Sequence, residues 1–293
     1  MKHVATQLAH TLDRRVVLQA GGAAALGALL GCRAAETALA PPPLALRKAL
    51  MMYMCKDGAN LREKFAIVKR AGFEGVELDS PGAVPLDEIR AACAATGIAV
   101  CGVVDSVHWA KSLADSSADV RKEAVAALET ALRDCAELGG TSVLLVPAIV
   151  DAKVSYDQAY TRSQAEIRRV LPLAAELKVK IAIENVWNDF LLSPLEAARY
   201  VDEFDSPWIG WHLDCGNVLT YGRPEQWIRI LGPRLHKLHI KEYSCKRRDE
   251  EGRWKGFDVK LGEGDNDWKA TLAALREIGF QGWASAEVAA GDD

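Results

Sequence analysis

Short, uninterrupted hydrophobic runs alternate with longer segments of helical periodicity over most of this chain. The runs show no regular polar alternation, which is typical of strands that are covered on both faces. Glycine residues mark most of the boundaries between a predicted helix and the strand that follows it. The pattern predicts strands at 49–54, 75–79, 98–104, 142–146, 179–184, 208–214, 235–240 and 283–288, and helices at 60–71, 85–96, 117–138, 156–178, 194–204, 224–231 and 268–278.

Eight strands with intervening helices indicate an α/β fold, a single (β/α)8 TIM barrel over residues 41–293. A barrel of this kind typically needs about 250 residues. A doubly wound open sheet is the alternative, but no glycine-rich phosphate loop follows the first predicted strand. Between the seventh strand and the last helix we expect a long loop.

Residues 1–40 are expected to form a twin-arginine signal peptide and linker outside the barrel. Arg14 and Arg15 precede a weakly hydrophobic stretch rich in Gly and Ala, which is too short to span a bilayer permanently. Cys32 ends a lipobox-like LLGC sequence, and Ala40 ends a small-residue cleavage pattern. We therefore expect export by the twin-arginine route, to the periplasm or to a lipid anchor at the cell envelope.

Composition narrows the classes of partner. The chain is 49% hydrophobic and 26% charged, with a formal net charge of −4. The one basic cluster, 246–248, is expected in a solvated loop, so nucleic acid is not an expected partner. The membrane is expected as a partner only through a lipid on Cys32. The seven cysteines form no CxxC pair, which favours buried free thiols.

Four acidic or imidazole side chains close the last four predicted strands. They are Glu184, Asp214, His239 and Glu287, with His239 preferred to His236 because it lies nearer the carboxyl end of its strand. In a parallel barrel the carboxyl ends of all strands open onto one face. Two Glu, one Asp and one His form a ligand set suited to a divalent cation. The sequence therefore predicts a catalytic metal site at the barrel mouth.

The motifs around these residues resemble those of the xylose isomerase-like TIM barrel family of sugar isomerases and epimerases. The matching pieces are IAIEN at Glu184, LDCGN at Asp214, LHIKE at His239, LGEGDNDW at 261–268 and AEV at Glu287. The similarity is greatest to the branch of L-ribulose and L-xylulose 5-phosphate 3-epimerases and hexulose-6-phosphate isomerases. The resemblance implies that these four side chains bind one divalent ion, commonly Mn²⁺, with Mg²⁺, Co²⁺ or Zn²⁺ as alternatives. It also implies that Glu184 and Glu287 form the catalytic acid–base pair.

Three positions depart from the pattern of the ketose 3-epimerases in this family. Asn217 stands where those enzymes carry a substrate-binding His, and Phe190 stands where they carry a second Glu. Cys245 occupies the position of an Arg that contacts the sugar. The substrate of this chain is therefore left open.

Polar and aromatic residues in the predicted loops at the strand ends suggest a carbohydrate ligand. A sugar site combines an apolar wall with convergent hydrogen-bonding groups. The residues that we expect to contact the substrate are Glu77, His108, Trp109, Asn185, Trp187, Asn217 and Lys241.

The predicted function is a metal-dependent epimerase or isomerase that acts on a sugar or sugar phosphate. Glu184 and Glu287 would exchange a proton on the carbon next to a carbonyl through an enediolate. Alternatives are an exported keto-glycoside lyase or hydrolase that uses the same metal and glutamates, and a non-catalytic sugar-binding lipoprotein. An endonuclease with a trinuclear zinc site is disfavoured by the acidic chain and its six histidines. A homo-oligomer is one option for the assembly.

Overall fold

Eight parallel strands close into a barrel in the order of the sequence. The computed structural model describes residues 44–288. The strands are β1 Ala45–Met51, β2 Gly75–Ser80, β3 Ala99–Asp105, β4 Ser142–Leu145, β5 Lys180–Glu184, β6 Ile209–Asp214, β7 Leu235–Ile240 and β8 Gln281–Ala286. The helices are α1 Leu61–Arg70, α2 Leu86–Thr96, α3 Ala118–Glu137, α4 Tyr156–Leu177, α5 Pro194–Asp202, α6 Pro224–Leu231, α7 Cys245–Glu251 and α8 Trp268–Glu277. The predicted (β/α)8 barrel is confirmed.

The first and last strands differ most from their predicted bounds. β1 begins at Ala45, because Ala45 to Leu50 pair with Gln281 to Ala286 of β8 and so close the barrel. Charged Arg47 and Lys48 interrupt the hydrophobic run there, so the pattern understates the length of the strand. β8 ends one residue before Glu287, whose backbone N–H still donates to Ile240 O at 3.0 Å.

The segment after β7 is more ordered than the expected long loop. α7 is followed by a 3₁₀ helix at Arg253–Phe257. Ser244 caps α7, because its Oγ accepts a hydrogen bond from Arg247 N at 3.3 Å. The basic cluster 246–248 therefore lies on a short helix and not in a loop. The expectation was wrong because a helix of two turns is too short for periodicity to reveal.

The hydrophobic core lies between the strands and the surrounding helices, with Leu128, Ile167, Trp211 and Trp227 fully buried. The six cysteines of the described segment are free and lie buried or half-buried, as expected.

Among residues 44–288, no helix combines the length and hydrophobicity that a membrane span requires. The predicted signal peptide and linker, residues 1–40, lie outside the described residues.

Candidate metal centre and active site

The last four strands bring four side chains to one point at the barrel mouth. Glu184 ends β5, Asp214 ends β6, His239 lies in β7 and Glu287 directly follows β8. His239 Nδ1 lies 2.9 Å from Glu184 Oε1, 3.1 Å from Glu287 Oε2 and 3.9 Å from Asp214 Oδ2. One ligand atom from each residue lies within 4.8 Å of all the others. The structure thus brings together the four residues predicted to bind a metal.

The donor set fits a divalent cation. Asp214 Oδ1 accepts hydrogen bonds from the backbone N–H groups of Gly216 at 2.8 Å and Asn217 at 2.7 Å. Asp214 Oδ2 is buried and has no hydrogen-bond partner among the described residues. A buried carboxylate oxygen without a hydrogen bond is costly, and a cation bound to it directly would satisfy it better than the Lys241 ammonium at 3.5 Å. Three carboxylates and one imidazole supply oxygen and nitrogen ligands without thiolate, which suits Mn²⁺ and similar ions.

Lys241 and Tyr53 orient Glu287 from the side of the cavity. Lys241 Nζ donates to Glu287 Oε1 at 2.6 Å and lies 3.5 Å from Asp214 Oδ2. Tyr53 Oη donates to the same Glu287 oxygen at 2.5 Å. Both contacts leave Glu287 Oε2 directed at His239, so this carboxylate is held in place from three sides.

A second charged group lies beneath the four ligands, inside the barrel. Glu77 Oε1 accepts from Lys237 Nζ at 2.7 Å, and Glu77 Oε2 accepts from His239 Nε2 at 3.1 Å. His212 is fully buried beside them, with its ring centroid 4.1 Å from that of His239. Gly102 leaves room for this group, because a Cβ there would lie 2.8 Å from Lys237 Nζ. A proton on Nε2, directed at Glu77, leaves Nδ1 free to bind an ion.

Glu77 therefore does not face the cavity. It was predicted to contact the substrate, but its carboxylate contacts Lys237 and His239 instead. The reason is its place in β2, two residues before the strand reaches the mouth, where Asp79 lines the cavity instead. Burial opposes ionisation of Glu77, but the charge of Lys237 and the hydrogen bond from His239 bring its pKa well below the ordinary value. Glu77 is thus a buried carboxylate that holds a predicted metal ligand.

The two predicted catalytic glutamates have pKa values shifted in opposite directions. Burial raises the pKa of Glu184 to about 7, against the hydrogen bond from His239. For Glu287, burial is outweighed by the hydrogen bond from His239 and the charge of Lys241, so its pKa lies below the ordinary value. Pairs of carboxylates with separated pKa values are typical of acid–base sites.

A cavity of about 570 Å³ opens above the four ligands. Several of the residues expected to contact the substrate line it: His108, Trp109, Trp187, Asn217 and Lys241. Glu184, His239 and Glu287 form its floor. Asp214 and Asn185 are not among the lining residues, since both are covered by their neighbours. The volume is in the range of small-molecule sites in proteins.

His108 is a neutral hydrogen-bond donor on the cavity wall. Its Nδ1 accepts from Val146 N at 3.3 Å. Burial lowers the pKa of His108 to about 3, so the ring is uncharged near neutral pH and its proton lies on Nε2. Trp109 packs edge-on against His108, with ring centroids 5.6 Å apart, and remains 52% exposed. The pair offers one polar and one apolar contact to a ligand.

Asn185 and Asn217 connect the ends of β5 and β6. Asn185 Oδ1 accepts from Asp214 N at 2.9 Å, and its Nδ2 donates to Asp214 O at 3.0 Å. Asn217 Nδ2 donates to Asn185 O at 3.1 Å, while Asn217 O accepts from Trp187 Nε1 at 3.0 Å. Asn185 therefore positions Asp214 and has no direct access to a ligand, unlike the prediction for it. Asn217 and Trp187 retain access.

Some residues of the site were not identified from the sequence. They are Tyr53, His212, Lys237, Trp254 and Phe257. Two signals were available. The first strand opens on the same mouth as the others, which would have pointed to Tyr53, and a lysine inside a hydrophobic run predicts a buried partner for Lys237. Trp254 and Phe257 lie in a segment without periodicity, and no sequence signal identifies them.

Comparison with known proteins identifies the family. The chain belongs to the xylose isomerase-like TIM barrel family, whose model matches residues 65–292. A 2-epi-5-epi-valiolone 7-phosphate 2-epimerase of Actinoplanes sp. is 26% identical over 204 residues, covering 69% of this chain and 68% of that protein. An L-ribulose-5-phosphate 3-epimerase, UlaE, of Escherichia coli O1:K1 is 22% identical over 188 residues, covering 64% and 63%.

The fold is also found among solved structures. The apo form of the 3-keto-D-glucoside 4-epimerase YcjR from E. coli superposes with a TM-score of 0.71 at 20% identity, over 85% of this chain and 94% of that one. Across the curated relatives that it matches, the chain spans 57 to 68% of their length.

Proposed function

We propose that this protein is a divalent-metal-dependent sugar epimerase or isomerase that transfers a proton next to a carbonyl. The observation that carries the proposal is the convergence of three carboxylates and His239 beneath a cavity, with Asp214 Oδ2 lacking a hydrogen-bond partner among the described residues. Membership of the family and the epimerase names of the relatives support it.

Glu184, Asp214, His239 and Glu287 would hold one ion, for which we propose Mn²⁺, with Mg²⁺, Co²⁺ or Zn²⁺ able to replace it. When bound, such an ion supplies Lewis acidity that polarises the substrate carbonyl and stabilises an enediolate, an effect of several kcal/mol. Asn185 and the backbone amides at 216 and 217 position Asp214, and Glu77 positions His239.

Glu184 and Glu287 are the proposed acid and base. They project from β5 and from the end of β8, and both reach His239 Nδ1 from different sides. One carboxylate removes the proton from the carbon next to the carbonyl, and the other returns a proton. Return to the same carbon on the opposite face inverts its configuration, whereas return to the neighbouring carbon interconverts aldose and ketose. Each positioned acid or base typically contributes about 10²- to 10⁴-fold.

The other lining residues bind and orient the sugar. His108 Nε2 donates to a substrate hydroxyl, because Nδ1 is occupied by Val146 N. Lys241 and Tyr53 keep Glu287 aligned through their hydrogen bonds to Oε1. Trp187 provides an apolar wall.

The test is hydrogen exchange in D₂O with metal-loaded protein and a panel of ketoses, ketose phosphates and keto-glycosides, followed by NMR. We expect deuterium at one carbon next to the carbonyl. Glu184→Gln and Glu287→Gln should each lower turnover by about 10²- to 10⁴-fold. Glu176→Gln, an exposed glutamate on α4, is the matched control and should change nothing. Retention of turnover within a factor of ten in both site variants would contradict the acid–base assignment.

The same panel separates the alternatives. A keto-glycoside lyase removes the same proton but releases a β-substituent, so its products differ from those of an epimerase. A non-catalytic sugar-binding lipoprotein would bind sugar without any exchange of hydrogen.

Export by the twin-arginine route is a proposal that rests on the sequence alone. Replacement of Arg14 and Arg15 by Lys should retain the protein in the cytoplasm, as seen by cell fractionation. Metabolic labelling with palmitate that disappears in Cys32→Ala would establish a lipid anchor, whereas unlabelled but exported protein would indicate cleavage near Ala40. Size-exclusion chromatography with light scattering would test a homo-oligomer.

A further inference from the structure

Three aromatic side chains cluster at one wall of the cavity. We call Trp187, Trp254 and Phe257 the aromatic platform. The ring centroids of Trp187 and Phe257 lie 4.9 Å apart at an interplanar angle of 25°, and those of Trp187 and Trp254 are also 4.9 Å apart. All three line the cavity, and Trp254 is 69% exposed. An exposed tryptophan at the rim of a cavity leaves a large apolar face available to a ligand.

The aromatic platform is held rigidly. Tyr243 Oη donates to Arg253 O at 2.8 Å, and Ser244 N donates to Gly256 O at 2.7 Å. Gly256 lies so close to the Tyr243 ring that a Cβ would overlap it. The Trp187 ring is packed between the Phe257 ring and the Arg253 guanidinium, which lies 4.2 Å from its centroid, so Trp254 carries the exposed face of the platform. A surface that is fixed before binding loses little conformational entropy when a ligand arrives.

The loop that follows the platform is fixed by a buried carboxylate. Glu242 accepts hydrogen bonds from Gly262 N at 2.9 Å and from Trp268 Nε1 at 2.8 Å. The LGEGDNDW motif thus has a structural role, because it ties the segment that carries the platform to the end of β7.

The platform adjoins the proposed catalytic residues. Lys241 Nζ lies 4.6 Å from the centroid of the Phe257 ring and 2.6 Å from Glu287 Oε1. Glu184, Glu287 and Trp254 line the same cavity, so a second ring joined to a sugar bound over the two glutamates would contact the exposed face of Trp254.

The charge of the cavity lining disfavours a phosphate beside the proposed metal ligands, and a further cation, Arg253, lies against the platform rings outside that lining. Lys241 is the one lysine or arginine that lines the cavity among residues 44–288, and it is paired with Glu287 and Asp214. Asp79 and Asp105 add carboxylates to the wall. Phosphate sites in proteins use unpaired cations or several backbone N–H groups, and like charges repel.

From these observations we infer that the aromatic platform is a subsite for the second ring of a neutral keto-glycoside, whose oxidised ring lies at the metal ligands. This inference rests on the proposed function and narrows it, because it names uncharged glycosides with a carbonyl on the sugar ring as the substrate class. It excludes a phosphorylated monosaccharide as the preferred substrate.

Two matched substrate pairs test the inference. Each pair consists of a methyl 3-keto-glucoside and the 3-keto-disaccharide with the same anomeric linkage, one pair α-linked and one β-linked. With metal-loaded protein in D₂O, we expect at least one disaccharide to have a higher kcat/KM than its methyl glycoside. We expect that disaccharide and its methyl glycoside each to have a higher kcat/KM than D-fructose 6-phosphate.

In the double variant Trp254→Ala with Phe257→Ala, the ratio of the kcat/KM of the disaccharide to that of the methyl glycoside should fall by about tenfold, the size expected for a lost aromatic contact. Leu195→Ala, which removes a side chain of the same 69% exposure on α5, should leave the ratio unchanged.

A binding measurement distinguishes failure of this inference from failure of the proposed function. Isothermal calorimetry with the unoxidised disaccharides, maltose and cellobiose, against the matching methyl glucosides does not require turnover. If no substrate exchanges hydrogen but a disaccharide binds about tenfold more tightly to the native protein than to the platform variant, the subsite stands and the proposed reaction fails. Equal binding of disaccharide and methyl glucoside, or a phosphorylated ketose as the best substrate, would overturn the inference.

Discussion

The two nitrogens of the His239 ring face two different groups of charges. On the Nε2 side, Glu77 and Lys237 form a pair whose side chains are 0% and 1% exposed. On the Nδ1 side, Glu184, Glu287 and Lys241 border a cavity and are 8 to 16% exposed. We call these the sealed pair and the open set, with Asp214 a further member of the open set.

The balance of charge is the difference between the two groups. In the sealed pair, one ammonium matches one carboxylate at 2.7 Å. In the open set, three carboxylates share one ammonium, and the raised pKa values of Glu184 and His239 reflect protons that offset part of the remaining negative charge. Buried charges are stable only when they are paired, and the open set needs a cation that the sealed pair does not need. The same imidazole thus joins a structural ion pair to the proposed metal site.

The largest effect is expected from breaking the sealed pair. Lys237→Met leaves the charge of Glu77 buried with less compensation, which should cost about 3 to 5 kcal/mol in the free energy of unfolding. Chemical denaturation measures this value. The double variant Lys237→Met with Glu77→Gln removes both charges and should recover much of the loss. A loss under about 1 kcal/mol in the single variant would show that the pair is not sealed from water.

A metal ion should stabilise the open set and leave the sealed pair unaffected. At a free Mn²⁺ concentration of about 100 times its Kd, the free energy of unfolding should rise by about 2.7 kcal/mol, and a chelator should reverse the change. Asp214→Asn should abolish most of this rise because it removes one charged ligand. Thermal denaturation of both proteins with and without Mn²⁺ is the measurement, and an equal shift in both would contradict the assignment of Asp214.

His108 and His239 are both buried, but their pKa values shift in opposite directions. Burial opposes a charge on His239, but its carboxylate neighbours raise its pKa, whereas burial lowers the pKa of His108 to about 3. Below pH 6.5 the unfolded state binds a proton at His108, whereas the folded state does not. His108 therefore makes the free energy of unfolding fall as the pH drops from 6.5 towards 3.

The expected loss from His108 is about 1 to 2 kcal/mol between pH 8 and pH 5. His108→Gln keeps an acceptor for Val146 N and should show that much less pH dependence in denaturation experiments. Identical pH profiles for the two proteins would mean that His108 is accessible to protons in the folded state.

The barrel could be predicted from the sequence because its signals are local. Continuous hydrophobic runs recur eight times and glycine follows most of the intervening helices, a pattern that few folds other than the barrel produce. The convergence of Glu184, Asp214, His239 and Glu287 followed from topology, since parallel strands present their carboxyl ends together. In the structure, one ligand atom of each lies within 4.8 Å of those of the other three.

The residues beneath the site could not be assigned in the same way. Glu77 and Asn185 were predicted to contact substrate, yet they lie behind the first layer of side chains. In a strand covered on both faces, the sequence pattern carries no information on how deep a polar side chain lies. Depth depends on the register between neighbouring strands, for example the shift of pairing between Val76 and Glu77 against β3.

The sequence by itself determined the class of fold and the four side chains at the ends of the last four strands, because hydrophobic runs and glycine positions are local features of the chain. Only the tertiary structure decided that Lys237 and Glu77 neutralise each other inside the barrel, and that Trp254 and Phe257 form a wall of the cavity. Those outcomes depend on contacts between residues far apart in the sequence, 160 positions in the case of Glu77 and Lys237. Such contacts arise when the barrel closes, and they produce no periodic pattern in the sequence of either strand.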